Sequence, residues 1–181
     1  MALINTTTTG VLGTTVFGDG AGPLTIQKDG VQIAKLANQP MFSAYLTGLG
    51  TGQSISHATF TVVSFSSLEY DTASCYNTST YRFTPNVAGY YYIQSSCYMQ
   101  FSGSAQVLLA LRRNGADYKY GPYSYATTTY TDTSSGTSTM MYLNGTTDYA
   151  SVAIYQNSGI TRYVYGSVNH TYFSGCLIKA E

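Results

Sequence analysis

Catalysis needs acids, bases, thiols or clustered ligands at defined spacings, and this 181-residue chain carries few of them. Its two histidines, His57 and His170, stand in no nucleophile, metal or acid–base pattern. His170, inside Asn169-His170-Thr171, reads as a loop residue rather than a base. The Gly-X-Ser-X-Gly turn that presents a hydrolase serine is missing, as are HExxH and clustered Cys/His spacings. Cys75, Cys97 and Cys176 are odd in number and fall in no redox or ligand spacing, so free thiols are expected. Asp117, Asp132 and Asp148 could lend oxygens to calcium, but no Asp-X-Asp run supports such a loop. The chain is therefore expected to be no enzyme and to need no cofactor.

Charge narrows the partners further. Charged residues make up 9% of the chain, eight basic against eight acidic. Nucleic-acid binding draws on a basic stripe that displaces counterions from phosphates, and the nearest feature is the isolated pair Arg112-Arg113. The opening Met-Ala-Leu-Ile-Asn has no basic region and breaks at Asn5 and the threonines that follow, so no signal peptide is expected. No apolar run reaches spanning length, and residues 107–111 form only a strand-sized cluster. Neither nucleic acid nor membrane insertion is expected. Asn5, Asn77, Asn144 and Asn169 each begin an Asn-X-Ser/Thr triplet, which so Ser- and Thr-rich a chain supplies incidentally.

The elements that must position these residues are strands. Nineteen tyrosines and no tryptophan raise β propensity, and eighteen glycines depress helix formation. No window of helical period occurs, whereas several segments alternate at period two. Val107, Leu109 and Leu111 share a face, and Asn114-Gly115 turns that strand back onto residues 117–120. Val152 and Ile154 oppose Tyr149, Ser151, Ala153 and Tyr155. Residues 59–65 and 90–98 read as strands with large side chains on both faces, which calls for burial on both sides. Many short strands between turns predict a two-sheet sandwich. Residues 1–40 differ in kind: a Thr- and Gly-rich opening leads to Leu24 and Ile26, the turn Lys28-Asp29-Gly30, then Val31 and Ile33. That reads as a small hairpin, marginal alone and in need of a partner surface, with a disordered leader as the alternative.

One spacing is specific. Phe65 is followed after five residues by Asp71, after four by Tyr76, after six by Phe83 and after five by Gly89, which leads into Tyr91, Ile93 and Ser95. With Phe173, Gly175 and their neighbours near the end, this order resembles the globular head domain of complement C1q over residues 41–179. The resemblance implies an all-β, two-sheet jelly roll of the C1q and tumour necrosis factor kind for residues 41–181. It also implies a homotrimer that buries one aromatic-rich face of each copy about a threefold axis. Phe65, Asp71, Tyr76, Phe83, Gly89, Tyr91, Ile93, Phe173 and Gly175 then form the fold motif and trimer core, with Asp71 in a turn or backbone-bonding role. Ile93 and Ser95 stand where the family usually has aromatics. Cys97 and Cys176 would lie on neighbouring strands, within reach of a bridge, and some relatives bind calcium near the trimer top. The collagen stalk usual in animal relatives has no counterpart, since no Gly-X-Y repeat precedes the head.

Two surfaces invite partners. Tyr90 and Tyr92 cannot share a core with Tyr91 and Ile93, so one face of that strand needs another subunit. In residues 118–139, read as a loop region, Tyr118, Tyr120, Tyr123, Tyr125 and Tyr130 alternate with Gly, Ser and Thr, the composition of antigen-binding loops. A host-surface glycan or protein is the expected partner there, and a plain strand with cross-strand tyrosine packing is the equal alternative. A low-charge head without signal or stalk, behind a short β leader, looks like a bacteriophage virion protein, a fibre or a capsid-surface decoration. Made in the host cytoplasm, it would dock on other virion proteins through residues 1–40, with Leu24, Ile26, Val31 and Ile33 as contacts. The competing reading is a soluble C1q-like lectin or ligand-binding module outside any virus.

Overall fold

A computed structural model describes residues 15–17, 24–28, 31–36, 39–48, 52–129 and 131–181. The chain divides into two units, Met1–Gln39 and Pro40–Glu181. In the first, β1 (Thr15–Phe17), β2 (Leu24–Lys28) and β3 (Val31–Leu36) form an antiparallel sheet in that order. The two strands of the expected hairpin pair, with Lys28 opposite Val31 and Leu24 opposite Leu36, while Asp29 and Gly30 lie outside the described residues. A third strand, β1, which sequence reasoning did not foresee, pairs with its β2 side.

The second unit contains only strands as regular elements among the described residues. They are β4 (Met41–Tyr45), β5 (Gln53–Ile55), β6 (Thr61–Val62), β7 (Ser67–Asp71), β8 (Tyr76–Asn77), β9 (Arg82–Phe83) and β10 (Ala88–Gln100). After them come β11 (Ala105–Arg113), β12 (Ala116–Tyr120), β13 (Ser124–Ala126), β14 (Asp132–Asn144), β15 (Ala150–Gln156), β16 (Arg162–Val164) and β17 (Tyr172–Ala180). One sheet runs β14, β10, β17, β4, β7, with β16 and β5 extending it past the end of β17 at Met99. The other runs from β12 and β13 through β11 and β15 to β6, β9 and β8. All pairings are antiparallel and largely nonsequential, and the two sheets stack as a jelly-roll sandwich.

The 13-residue β10 shows how sequence drives the stacking. Tyr91, Ile93, Ser95, Cys97 and Met99 point inward and are buried, while Tyr90 and Tyr92 point out, as the pleat's period of two requires. Opposite them, Val107, Leu109 and Leu111 of β11 and Val152 and Ile154 of β15 supply the second wall. Burial of each large apolar side chain contributes roughly 1.5–3 kcal/mol, so this layer dominates the stability of the head. Asn114 and Gly115 both take positive φ, 53° and 82°, the mirror-image turn that matches strand twist, and they return β11 onto β12. Outside this sheet, Ala110 lies between Tyr120 and Ala153 in register, and the Phe60 ring sits 5.8 Å from Tyr120 and 5.4 Å from Tyr155. Small alanines there leave room for rings, which explains why β11 is buried on both faces.

Two sequence expectations fail. Residues 59–65 do not form one strand: only Thr61–Val62 pairs with β15. The Val63 amide donates to the Val152 carbonyl at 2.9 Å, but the next amide, Ser64, is taken by the Gln53 side chain at 2.8 Å, so the ladder stops. Residues 118–139, read as a loop region, are mostly strand, because β14 must supply thirteen partners to β10. Tyr118 and Tyr120 of β12 and Tyr125 of β13 thus stand on strand backbone.

Candidate interaction surface

The motif residues converge on one aromatic cluster. Phe42, which the spacing argument does not single out, stacks on Phe83 at 4.3 Å and on Tyr76 at 5.1 Å, and meets Phe173 edge-on at 4.8 Å. Phe65 touches Phe173, and Tyr91 meets Phe83 edge-on. Tyr76 donates its hydroxyl to the Phe65 carbonyl at 3.0 Å and Tyr91 to the Val87 carbonyl at 2.7 Å. Burial pushes both phenols well above their usual range, so each stays neutral and keeps its proton to donate. Asp71 organises the turn after β7. Its carboxylate accepts from the backbone amides of Ala73, Cys75 and Tyr76, the last at 2.8 Å.

Glycine is required where strands crowd. A Cβ on Gly89 would strike the Lys179 carbonyl, and one on Gly175 would lie 2.6 Å from Ile93 Cδ1. Ile93 therefore fills the space that faces Gly175 in register, and Ser95 is buried with its hydroxyl on the Tyr172 carbonyl at 2.8 Å. The branched aliphatic and the hydroxyl replace two rings without leaving a polar atom unsatisfied at Ser95.

Among the described residues, nothing covers the opposite face of the same sheet. In register, Met140, Tyr92, Cys176 and Met41 form a row across β14, β10, β17 and β4. Tyr90 pairs with Tyr142 beside them, their rings 5.4 Å apart. Tyr90, Tyr92 and Met140 are 42%, 37% and 44% exposed, and Ile178 and Tyr70 lie open as well. The next row is short and polar: Ser138, Gln94, Ser174 and Ser43, with Gln94 donating to Ser174 at 3.1 Å. A pit of about 110 Å³ opens between the rows, lined by Met41, Tyr70, Tyr92, Gln94 and Ser174. Apolar knobs beside small side chains make a surface onto which a second body can pack closely.

The tyrosines of residues 118–139 spread along another edge. Tyr118 and Tyr120 sit on β12 and Tyr125 on β13, with Tyr123 between them, and all four are exposed. Tyr130 lies outside the described residues. Tyr120 donates to Asp117 at 2.7 Å, and Asp117 also receives Arg112 at 2.6 Å. The side chains of Leu24, Ile26, Val31 and Ile33 are outside what is described, although their backbone belongs to β2 and β3.

Thiol and acid groups take structural places. Cys97 points into the core, while Cys176 lies opposite Tyr92 on the other face, so the bridge suggested by the family resemblance does not form and both thiols are free. Asp148 accepts from Arg113 at 2.6 Å and Asn114 at 2.7 Å, bonds that hold its carboxyl below the usual range. Among the described residues no three His, Cys, Asp or Glu side chains cluster, and the His170 ring meets the Ser167 hydroxyl at 3.3 Å and the Tyr98 ring at 5.5 Å.

The fold is a jelly-roll head with an exposed tyrosine–methionine face, and the sequence places it more narrowly. The C1q domain model matches residues 41–178, and the chain belongs to the C1q domain family. Solved structures with the same fold include the globular domain of zebrafish complement 1qA protein, 16% identical at a TM-score of 0.58, covering 79% of this chain and 99% of that one. Murine APRIL at pH 5.0 follows at 10% identity and TM-score 0.57, covering 77% of this chain and 99% of its own. The PRD1 vertex protein P5 is 16% identical with a TM-score of 0.57, covering 79% of this chain and 99% of its own. Among curated proteins none matches the sequence.

Proposed function

We propose that this protein is a non-enzymatic structural component of a bacteriophage particle, assembled as a homotrimer. In this reading the first unit docks on other virion proteins, and the head faces outward as a fibre tip or capsid decoration, for stabilisation or host attachment. The observation that carries it is the row Met140, Tyr92, Cys176 and Met41 on an otherwise folded head. C1q- and TNF-like domains typically form homotrimers, and an apolar row beside small side chains suits a subunit contact. The fold likeness to the PRD1 vertex protein supports a virion setting. The sheet of β1, β2 and β3, too small to bury much surface by itself, suits a segment stabilised by the particle it docks on.

Light scattering of the purified chain at micromolar concentration should give the mass of three copies. A monomer would overturn the assembly. Removal of residues 1–40 should leave a trimer that no longer joins particles; incorporation of the truncated form would overturn the docking role. Binding of the isolated head to host cells or glycans, with no particle association by the full chain, would instead favour a free ligand-binding module.

A further inference from the structure

Between the β8–β9 hairpin and the loop before β15 lies a cleft of about 470 Å³, a size that holds one or two sugar units. Ser74, Asn77, Thr80, Arg82, Thr147 and Tyr149 line it, and none of them belongs to the exposed apolar row. Its one charged group is Arg82. Arg112 and Arg113 are held by Asp117 and Asp148 at 2.6 Å, and Arg162 by serine hydroxyls. Arg82 has no acceptor among the described residues; its guanidinium lies over the Tyr149 ring, 4.1 Å from the centroid.

The nearby carboxylates cannot answer it. Asp71 is occupied by three backbone amides, and Asp148 by Arg113, Asn114 and the Asn144 amide. The hydroxyls of Ser74, Thr80 and Tyr149 make no hydrogen bond within the described residues, so a fork of guanidinium donors is ringed by free hydroxyls. The wall is also rigid. Asn77 Oδ1 accepts from the amides of Ser79 and Thr80, both at 2.9 Å, and its carbonyl accepts from Tyr81 at 2.8 Å. Ser74, in the lining, and Tyr81, between the lining residues Thr80 and Arg82, hold positive φ, 52° and 59°, a conformation that residues other than glycine rarely adopt. A preorganised wall lowers the entropic cost of binding a small polar ligand.

We propose that this cleft binds a carboxylated sugar unit, with Arg82 pairing the carboxylate and the surrounding hydroxyls and Asn77 reading the ring hydroxyls. A guanidinium fork fits a carboxylate through two parallel hydrogen bonds. The polar lining offers no apolar pocket of the kind that anchors a peptide side chain. All the residues that line the cleft belong to one protomer.

Amide NMR of the full chain titrated with glucuronate, glucose or inorganic phosphate tests this. Glucuronate should shift the signals of Ser74, Asn77, Thr80, Arg82, Thr147 and Tyr149 saturably, with a dissociation constant on the order of 1 mM, as befits one small ligand. Glucose, which carries a hydroxymethyl group in place of the carboxylate, should bind at least about tenfold more weakly, as should glucuronate to Arg82→Gln. Arg82→Lys, keeping the charge without the fork, should fall between. Arg82 is exposed, so unchanged signals elsewhere will report an intact fold. No saturable shift, or equal binding by Arg82→Gln, overturns the site. Phosphate that binds as well as glucuronate overturns the saccharide assignment.

Discussion

Tyr91 and Tyr92 are consecutive in β10 and meet opposite surroundings: the first is wholly buried against Phe83, the second is 37% exposed beside Met140. The pleat puts one ring in the sandwich core and the other on the open face. Substitution therefore separates folding from assembly. Tyr91→Ala should cost about 3–5 kcal/mol of protomer stability in urea unfolding. If the proposed trimer packs through this face, the double change Tyr92→Glu and Met140→Glu should leave the far-ultraviolet dichroism intact while light scattering gives the mass of one copy. The loss corresponds to about 2 kcal/mol or more per contact, as for other buried interface anchors.

Asp71 stitches the turn after β7 with three amide hydrogen bonds. Asp71→Ala leaves those donors without their partner and should cost at least about 2 kcal/mol in urea unfolding. Asp71→Asn keeps one acceptor oxygen and should cost less. Equal stability of wild type and Asp71→Ala would show that the turn holds without the carboxylate.

Asn114 and Arg113 depress the Asp148 carboxyl, so its folded value lies below the unfolded value of about 4. The sign follows directly. The unfolded chain takes up this proton first, so the stability from Asp148 is complete above pH ~4 and drains away as pH falls toward the folded value. Asp148→Asn should remove that part of the acid dependence, flattening the stability profile below pH ~4 relative to wild type. An unchanged slope in acid unfolding would assign the dependence to other carboxylates.

Cys97 lies wholly inside the sandwich, and burial pushes its thiol far above the usual range. Because the thiolate is the reacting form, iodoacetamide should leave Cys97 unmodified in the native protein and label it only after unfolding. Mass mapping under non-reducing conditions should show no Cys97–Cys176 bridge. A recovered cross-linked peptide would contradict the register that sets Cys176 against Tyr92.

Much of this head was legible in the chain because its signals are local. Alternation marked β10, β11 and β15, Asn114-Gly115 marked a turn whose positive φ values follow from those residue types, and the Phe65-to-Gly89 spacing carried the family. The errors arose where pairing is decided at a distance. Residues 59–65 alternate well enough for a strand, yet the Gln53 side chain claims the Ser64 amide and ends the ladder. Residues 118–139 have a loop's composition, yet the length of β10 demands a partner and draws β14 out of them. Arg82 and Tyr149 lie 67 positions apart, and no sequence pattern announces their stacking.

The amino-acid order by itself determined the β class, the inward and outward faces of the strands, and the aspartate-centred turn, since each depends on residues within a few positions of one another. Only the tertiary structure decided which strands lie side by side, that Cys97 and Cys176 face apart, that Met140 joins Tyr92 in an exposed row, and that Arg82 has no hydrogen-bond acceptor among the described residues. Those outcomes depend on register between segments far apart in the chain, where a shift of one residue would exchange the two faces of a strand.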